Sequence, residues 1–158
     1  ICLATGVAAD LARHAGTEEE RRRWKGREDL FTPIAKAWST DVGCEVASMG
    51  IQVHGGMGFI EETGAAQYYR DARIAPIYEG TNGIQARTTA ARALTQAGGA
   101  GAAAFAGFLR DSGPALADAA AAWEAEAQRM RGLADPAAEA EAELHQCRVA
   151  GFFAVPVA

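Results

Sequence analysis

Leu30, Ile34, Trp38, Val42 and Val46 recur at every fourth position, and that spacing excludes a strand. A strand exposes alternate residues on one face, whereas a helix brings residues three and four apart together. The run therefore predicts a long helix from Leu30 to about Val53, with this stripe buried. Gly55-Gly56-Met57-Gly58 ends it, because glycine readily takes the left-handed backbone that closes helices. Leu3, Val7 and Leu11 repeat the same spacing and predict a helix over residues 1–14. Between the two lies Thr17–Asp29, where acids and bases alternate, with Glu18–Arg22 and Glu19–Arg23 at i,i+4. This stretch reads as a solvated connection rather than a basic contact patch.

Helical punctuation continues downstream. Thr63 to Arg73 predicts a short helix that Pro76 keeps from continuing. Thr81 is placed to cap a helix from about Asn82 to Gln96, and Gly98-Gly99 with Gly101 marks a flexible break. Pro114 opens a further helix with Ser112 as its cap, and Asp135-Pro136 opens another. The last third is dominated by alanine, which permits close helix packing and encodes no chemistry. The expected architecture is all-α, an antiparallel bundle of five or six helices. Residues 1–97 are read as a helical bundle domain and 98–158 as a helical C-terminal extension. Because residues 1–9 already read as apolar helix, the chain is expected to be part of a longer protein.

Composition removes several function classes. The chain has 158 residues, a net charge of −5 and a pI near 5.2, so nucleic acid and anionic membranes are poor electrostatic partners. No apolar stretch approaches the roughly 20 residues that span a bilayer, and no signal-peptide pattern is visible in these residues. Cys2, Cys44 and Cys147 are widely spaced and form no zinc or redox motif. No metal is expected. They read as buried thiols in a reducing compartment, and the expected location is cytoplasmic.

Candidate chemistry concentrates in residues 44–85. Gly55-Gly56-Met57-Gly58 could let a flat or charged ligand approach the backbone, or could simply turn the chain. Glu79 stands in the apolar–aromatic string Ile77-Tyr78-Glu79-Gly80-Thr81, just before a helix start. There it is either a structural partner of the helix N-terminus or a general base, strengthened where water is expelled. His54 reads as a helix-end residue that packs or hydrogen-bonds, and Glu61 with Glu62 as solvated acids on a surface turn.

Three blocks occur in order: Gln52-Val53-His54-Gly55-Gly56-Met57-Gly58-Phe59, Tyr69-Arg70-Asp71-Ala72-Arg73, and Ile77-Tyr78-Glu79-Gly80-Thr81. In residues, order and spacing they resemble the acyl-CoA dehydrogenase family, over about residues 28–92. The wording from His54 to Gln85 is most similar to the long, 3-methylmercaptopropionyl-CoA dehydrogenase-like branch, whose members carry a helical extension. The resemblance implies an FAD-dependent oxidation of acyl-CoA thioesters to trans-2-enoyl-CoA. It makes Glu79 the base that removes the α-proton, with the backbone of Gly80 near the substrate. Gln52, Gly55 and Gly56 match positions that touch the adenosine half of FAD, usually from a partner subunit, and Thr81 matches one near the flavin. It further implies electron-transfer flavoprotein as electron acceptor and a homodimer or homotetramer. Gln67 and Gly83 depart from the family's pattern, where a basic and a polar residue are common. The alternative is a non-catalytic helical assembly module or a fragment inactive on its own, because no strands are present to hold a flavin ring.

Overall fold

The computed structural model describes residues 1–94, 96–133 and 135, and among these there are seven α-helices and no strand. Helix α1 (Cys2–His14) is followed by α2 (Glu18–Val53), a single helix of 36 residues. Short α3 (Gly56–Phe59) and α4 (Ala65–Ile74) follow, then α5 (Asn82–Thr88), which continues as a π-helical turn over Thr89–Leu94. The described chain closes with α6 (Ala100–Asp111) and α7 (Ala117–Arg131). The all-α expectation holds.

Everything is organised on α2. Cys2 Sγ lies 3.2 Å from Ser39 Oγ, and Arg13 pairs with Glu28 at 4.0 Å. Rising numbers in α1 thus meet falling numbers in α2, so the two run antiparallel. The return from α4 to α5 also descends α2: Cys44 Sγ donates to Ala72 O, while Asn82 Nδ2 donates to Ala37 O. At the lower end Leu30 and Phe31 join Ala90, Leu94, Leu109 and Trp123 in one core. Phe31 meets Phe105 edge-on at 5.5 Å, and Trp123 meets Phe105 at 5.0 Å. The Trp123 indole donates to Ala102 O at 2.9 Å, which satisfies its one polar group inside that core. Arg27 lies over the rings of Trp24 and Phe108, at 4.5 and 5.2 Å, and burial lowers its pKa. Residues 100–131 therefore pack on the same core as the helices before them.

Several expectations are corrected. The four-residue stripe of α2 is not uniformly buried: Leu30 is 0% exposed but Val46 is 56% exposed. Each four-residue step turns about 40° past a full circle, so four steps carry the stripe to the far side of the helix. Buried positions instead follow Leu30, Ala37 and Cys44, a spacing of seven that drifts only about 20° per step. In α1, Leu3 and Val7 face outward, and Ala8 with Ala4 faces the core. Alanines there let α1 lie close against α2.

Thr17–Asp29 is not a connection between helices. Thr17 caps α2, its Oγ1 accepting from Glu20 N at 3.2 Å while Glu20 Oε2 accepts from Thr17 N at 3.0 Å. The charged run is the exposed first part of that helix, with Glu18 paired to Arg21 and Arg22. Ser112 ends α6, donating back to Phe108 O, rather than opening α7. Gly98 and Gly99 do break the chain with positive φ, but Gly101 lies within α6. Of the cysteines, Cys44 is buried and Cys2 exposed. Cys147 and the Asp135-Pro136 helix start lie outside the described residues.

Candidate functional site

Tyr78, Glu79, Gly80 and Thr81 are all on a turn that closes where Asn82 N donates to Pro76 O at 3.2 Å. Thr81 Oγ1 accepts from Ile84 N at 3.3 Å, so the expected cap of α5 is present. Glu79 has φ 54 and Gly80 φ 89. A left-handed backbone is ordinary for glycine but costs a residue with a Cβ about 1 kcal/mol or more. Interactions around the turn must offset that cost.

Those interactions come from α2. Lys36 Nζ donates to Gly80 O at 2.7 Å and to Asn82 Oδ1 at 3.3 Å. Asn82 is 7% exposed, and its Nδ2 donates to Ala37 O and to Thr40 Oγ1, both at 3.2 Å. Gln85 Nε2 adds a bond to Gly80 O at 3.3 Å. A buried amide left without partners costs about 1–3 kcal/mol, so this fully used one fixes the turn against α2. Lys36, Thr40 and Asn82 were not singled out by sequence reasoning. Their partners are more than 40 positions away in the chain, and no local pattern announces such a pairing.

Glu79 itself is exposed, as are Ile77 and Tyr78 at 52% and 51%. The described residues thus mount the Glu79 carboxylate on a fixed turn but do not exclude water from it. Among the described residues no acceptor lies against the Glu79 backbone N–H. It is open to an outside acceptor.

The glycine cluster is at the C-terminal end of α2. Gly55 has φ 60, and Gln52, Gly55 and Gly56 are all exposed. A Cβ built at Gly55 or Gly56 would meet nothing within 4 Å. Gly58 is different: it is buried, and its Cβ would run into Ile51 O and the His54 Cβ. The chain can fold α3 back onto the end of α2 only with glycine there. His54 Nδ1 lies 2.9 Å from Gly50 O, the helix-end role expected for it. Glu61 pairs with Arg70 at 3.0 Å on an exposed turn.

The two groups of candidate residues do not converge. Sixteen positions of α2 separate Lys36, which holds the Glu79 turn, from Gln52. At 1.5 Å per residue that is about 24 Å. Between and around them Val46, Met49, Val53, Met57, Phe59 and Tyr68 leave large apolar side chains exposed, Val53 and Phe59 by 84% and 80%. Among the described residues there is no His/Cys/Asp/Glu group able to hold a metal, and no helix long and apolar enough to cross a membrane.

Residues 6–94 match the family model described as acyl-CoA dehydrogenase, C-terminal domain. The chain belongs to the acyl-CoA dehydrogenase family. It is 46% identical over 130 residues to a 3-methylmercaptopropionyl-CoA dehydrogenase of Ruegeria pomeroyi, covering 82% of this chain and 22% of that protein. It is 40% identical over 89 residues to a butyryl-CoA dehydrogenase of Syntrophomonas wolfei, covering 54% of this chain and 14% of the relative. A mitochondrial short-chain specific acyl-CoA dehydrogenase of Rattus norvegicus is 46% identical over 52 residues, 33% of this chain and 13% of that one. The chain thus spans about a fifth or less of the length of these relatives. The resemblance in the three sequence blocks, including the 3-methylmercaptopropionyl-CoA dehydrogenase-like character, is borne out.

FAD is the cofactor that the family resemblance implies, and the residues present fit part of its site. Gln52, Gly55 and Gly56 present side chain and bare backbone to the outside at one helix end, with room for a ligand along them. Thr81 is exposed, and its hydroxyl, already accepting one bond, keeps its proton to donate. These residues lie apart along α2, Thr81 beside its middle and Gln52, Gly55 and Gly56 at its C-terminal end.

Proposed function

We propose that this chain is the C-terminal helical part of an FAD-dependent acyl-CoA dehydrogenase and carries its catalytic base, Glu79. Residues 1–97 are read as the family's bundle domain and residues from 98 onward as an extension of it, of which 136–158 lie outside the described residues. The observation that carries this reading is the mounting of Glu79: an exposed carboxylate on a turn pinned to α2, within the family-matched residues.

The substrate class is an acyl-CoA thioester. The Glu79 carboxylate takes the proton from the α-carbon as the β-carbon loses a hydride, leaving a trans-2-enoyl-CoA. The Glu79 backbone N–H donates to the thioester carbonyl, where negative charge develops as the proton leaves. The backbone of Gly80 lies near the substrate. Gln52, Gly55 and Gly56 hold the adenosine half of the cofactor, and Thr81 lies near the flavin. FAD, when bound, supplies the hydride acceptor, and electron-transfer flavoprotein then removes the electrons. Water is excluded from Glu79 in the assembled dehydrogenase, where protein beyond the described residues covers the turn.

The exposed apolar side chains along α2, α3 and α4 support a homodimer or homotetramer, since patches of this kind ordinarily mark contact surfaces. The separation of the two groups of residues supports a cofactor shared between subunits. The free thiols at Cys2 and Cys44 suit a cytoplasmic enzyme.

The test uses Glu79→Gln in the FAD-loaded dehydrogenase that contains this chain. The variant is expected to bind FAD and acyl-CoA normally while its flavin absorbance no longer bleaches on adding substrate. Bleaching at the wild-type rate would exclude Glu79 as the base.

A further inference from the structure

We propose that Lys36 is a positioning residue for the proposed base: from α2, its ammonium holds the Glu79–Gly80 backbone in the left-handed arrangement that sets where the Glu79 carboxylate points. The inference rests on the reading of Glu79 as the base.

The argument begins with the backbone. Two consecutive residues, Glu79 and Gly80, have φ 54 and φ 89, and the first of them carries a side chain. A non-glycine residue holds such a conformation only where its surroundings over-determine it, and such sites cluster where geometry serves function. The turn's own closure, Asn82 N to Pro76 O, spans the segment without fixing the peptide between Glu79 and Thr81. The Gly80 carbonyl accepts from Lys36 Nζ at 2.7 Å and more weakly from Gln85 Nε2 at 3.3 Å, and Gln85 Nε2 also reaches Glu79 O at the longer distance of 3.5 Å. A bond from an ammonium is shorter and about twice as strong as a neutral one, so Lys36 dominates.

The same ammonium reaches Asn82 Oδ1 at 3.3 Å, and the Asn82 amide is tied in turn to Ala37 O and Thr40 Oγ1. One turn of α2, from Lys36 to Thr40, therefore grips the chain just after the base, at Gly80 and Asn82. Half-buried Lys36 thus spends its charge on neutral acceptors in this turn. Rotating the Gly80 peptide would swing the Glu79 Cα–Cβ bond, and a misplacement of about 1 Å at a reacting group can cost about a hundredfold in rate.

The test compares Lys36→Gln, Lys36→Arg and Thr40→Val with wild type and with Glu79→Gln, all in the FAD-loaded dehydrogenase. Lys36→Gln keeps a polar side chain but ends one bond short of the Gly80 carbonyl. Its kcat is expected to fall about tenfold or more, with KM within about twofold and FAD content unchanged. Amide hydrogen exchange at Asn82, whose N–H closes the turn on Pro76 O, is expected to accelerate by about tenfold, read by mass spectrometry. Lys36→Arg, which restores a cationic donor, recovers part of both. Thr40→Val, a milder change that loosens Asn82 alone, lowers kcat about fivefold, the value of one neutral hydrogen bond. Wild-type kcat in Lys36→Gln, or a loss that merely tracks lost FAD or lost folded protein, overturns the proposal. Turnover by Glu79→Gln removes the base reading itself, whereas an inactive Glu79→Gln beside a fully active Lys36→Gln refutes Lys36 alone.

Discussion

Phe31 offers the sharpest test of how the helices are joined. It is 3% exposed on α2 and meets Phe105 and Phe108 of α6 with ring centroids 5.5 and 6.3 Å away. Phe105 in turn meets Trp123 of α7 at 5.0 Å and 81°, an edge-on contact. Cutting Phe31 to alanine removes a buried aromatic ring from a site walled by other rings, which relax little into the space. Such substitutions cost about 3–5 kcal/mol. For a chain of this size each kcal/mol moves Tm by about 2–4 °C, so Phe31→Ala should lower Tm by roughly 6–20 °C. Urea unfolding followed by far-ultraviolet circular dichroism gives the free energy directly. A cycle of Phe31→Leu and Phe105→Leu should show a coupling of about 0.5–1.5 kcal/mol, the part that edge-on geometry adds beyond buried area. If Phe31→Ala costs under about 1 kcal/mol, or α6 and α7 melt in a separate transition, then residues 100–131 do not share the core with α2 and the fold described above is wrong.

Three further outcomes are expected. Gly58→Ala drives a Cβ into Ile51 O and should destabilise the chain by about 1–3 kcal/mol, read as a lower urea midpoint. Asn82→Ala leaves the Ala37 carbonyl and the Lys36 ammonium with fewer partners, and a loss of about 1–3 kcal/mol is expected by the same measurement. Glu20 has its pKa lowered by hydrogen bonds from the Thr17 side chain and then the Thr17 backbone. A carboxylate lower in the folded state stabilises above its unfolded value, near about 4.3, and loses that contribution as pH falls toward the folded value. Glu20→Gln should therefore lower the urea midpoint at pH 7 and show little difference from wild type at pH 3. A gap that is unchanged or wider at pH 3 would contradict this sign.

Signals that act locally are legible in the sequence. Gly55 ends α2, Thr81 caps α5, and Pro76 stands beyond the end of α4, because each acts through bonds within a few residues. The three sequence blocks also gave the family. The capping box Thr17-x-x-Glu20 was equally local and was passed over in favour of the charge pattern around it, which split one long helix into a connection and a helix. Direction was harder to read. A run of every-fourth residues marks a helix but rotates around it, so it could not say that Val46 faces out while Cys44 faces in. Least legible was the mounting of Glu79. Lys36, Thr40 and Asn82 form an ordinary scatter of polar residues until α2 and the α5 start are side by side. Nor could the blocks reveal that Glu79 is held by the middle of α2 and Gln52 lies at its C-terminal end, since spacing in sequence says nothing of distance once the chain reverses.

The most direct test of the proposed role of Glu79 is exchange of the acyl-CoA α-protons with deuterium from solvent, followed by NMR in the FAD-loaded dehydrogenase. Proton removal is read there without depending on hydride transfer or on the electron acceptor. Wild type should exchange the α-protons readily, and Glu79→Gln should slow that exchange by at least about a hundredfold while binding the thioester as before. Exchange at the wild-type rate in the Glu79→Gln protein would show that another group takes the proton, and the turn held by α2 would then have some other purpose.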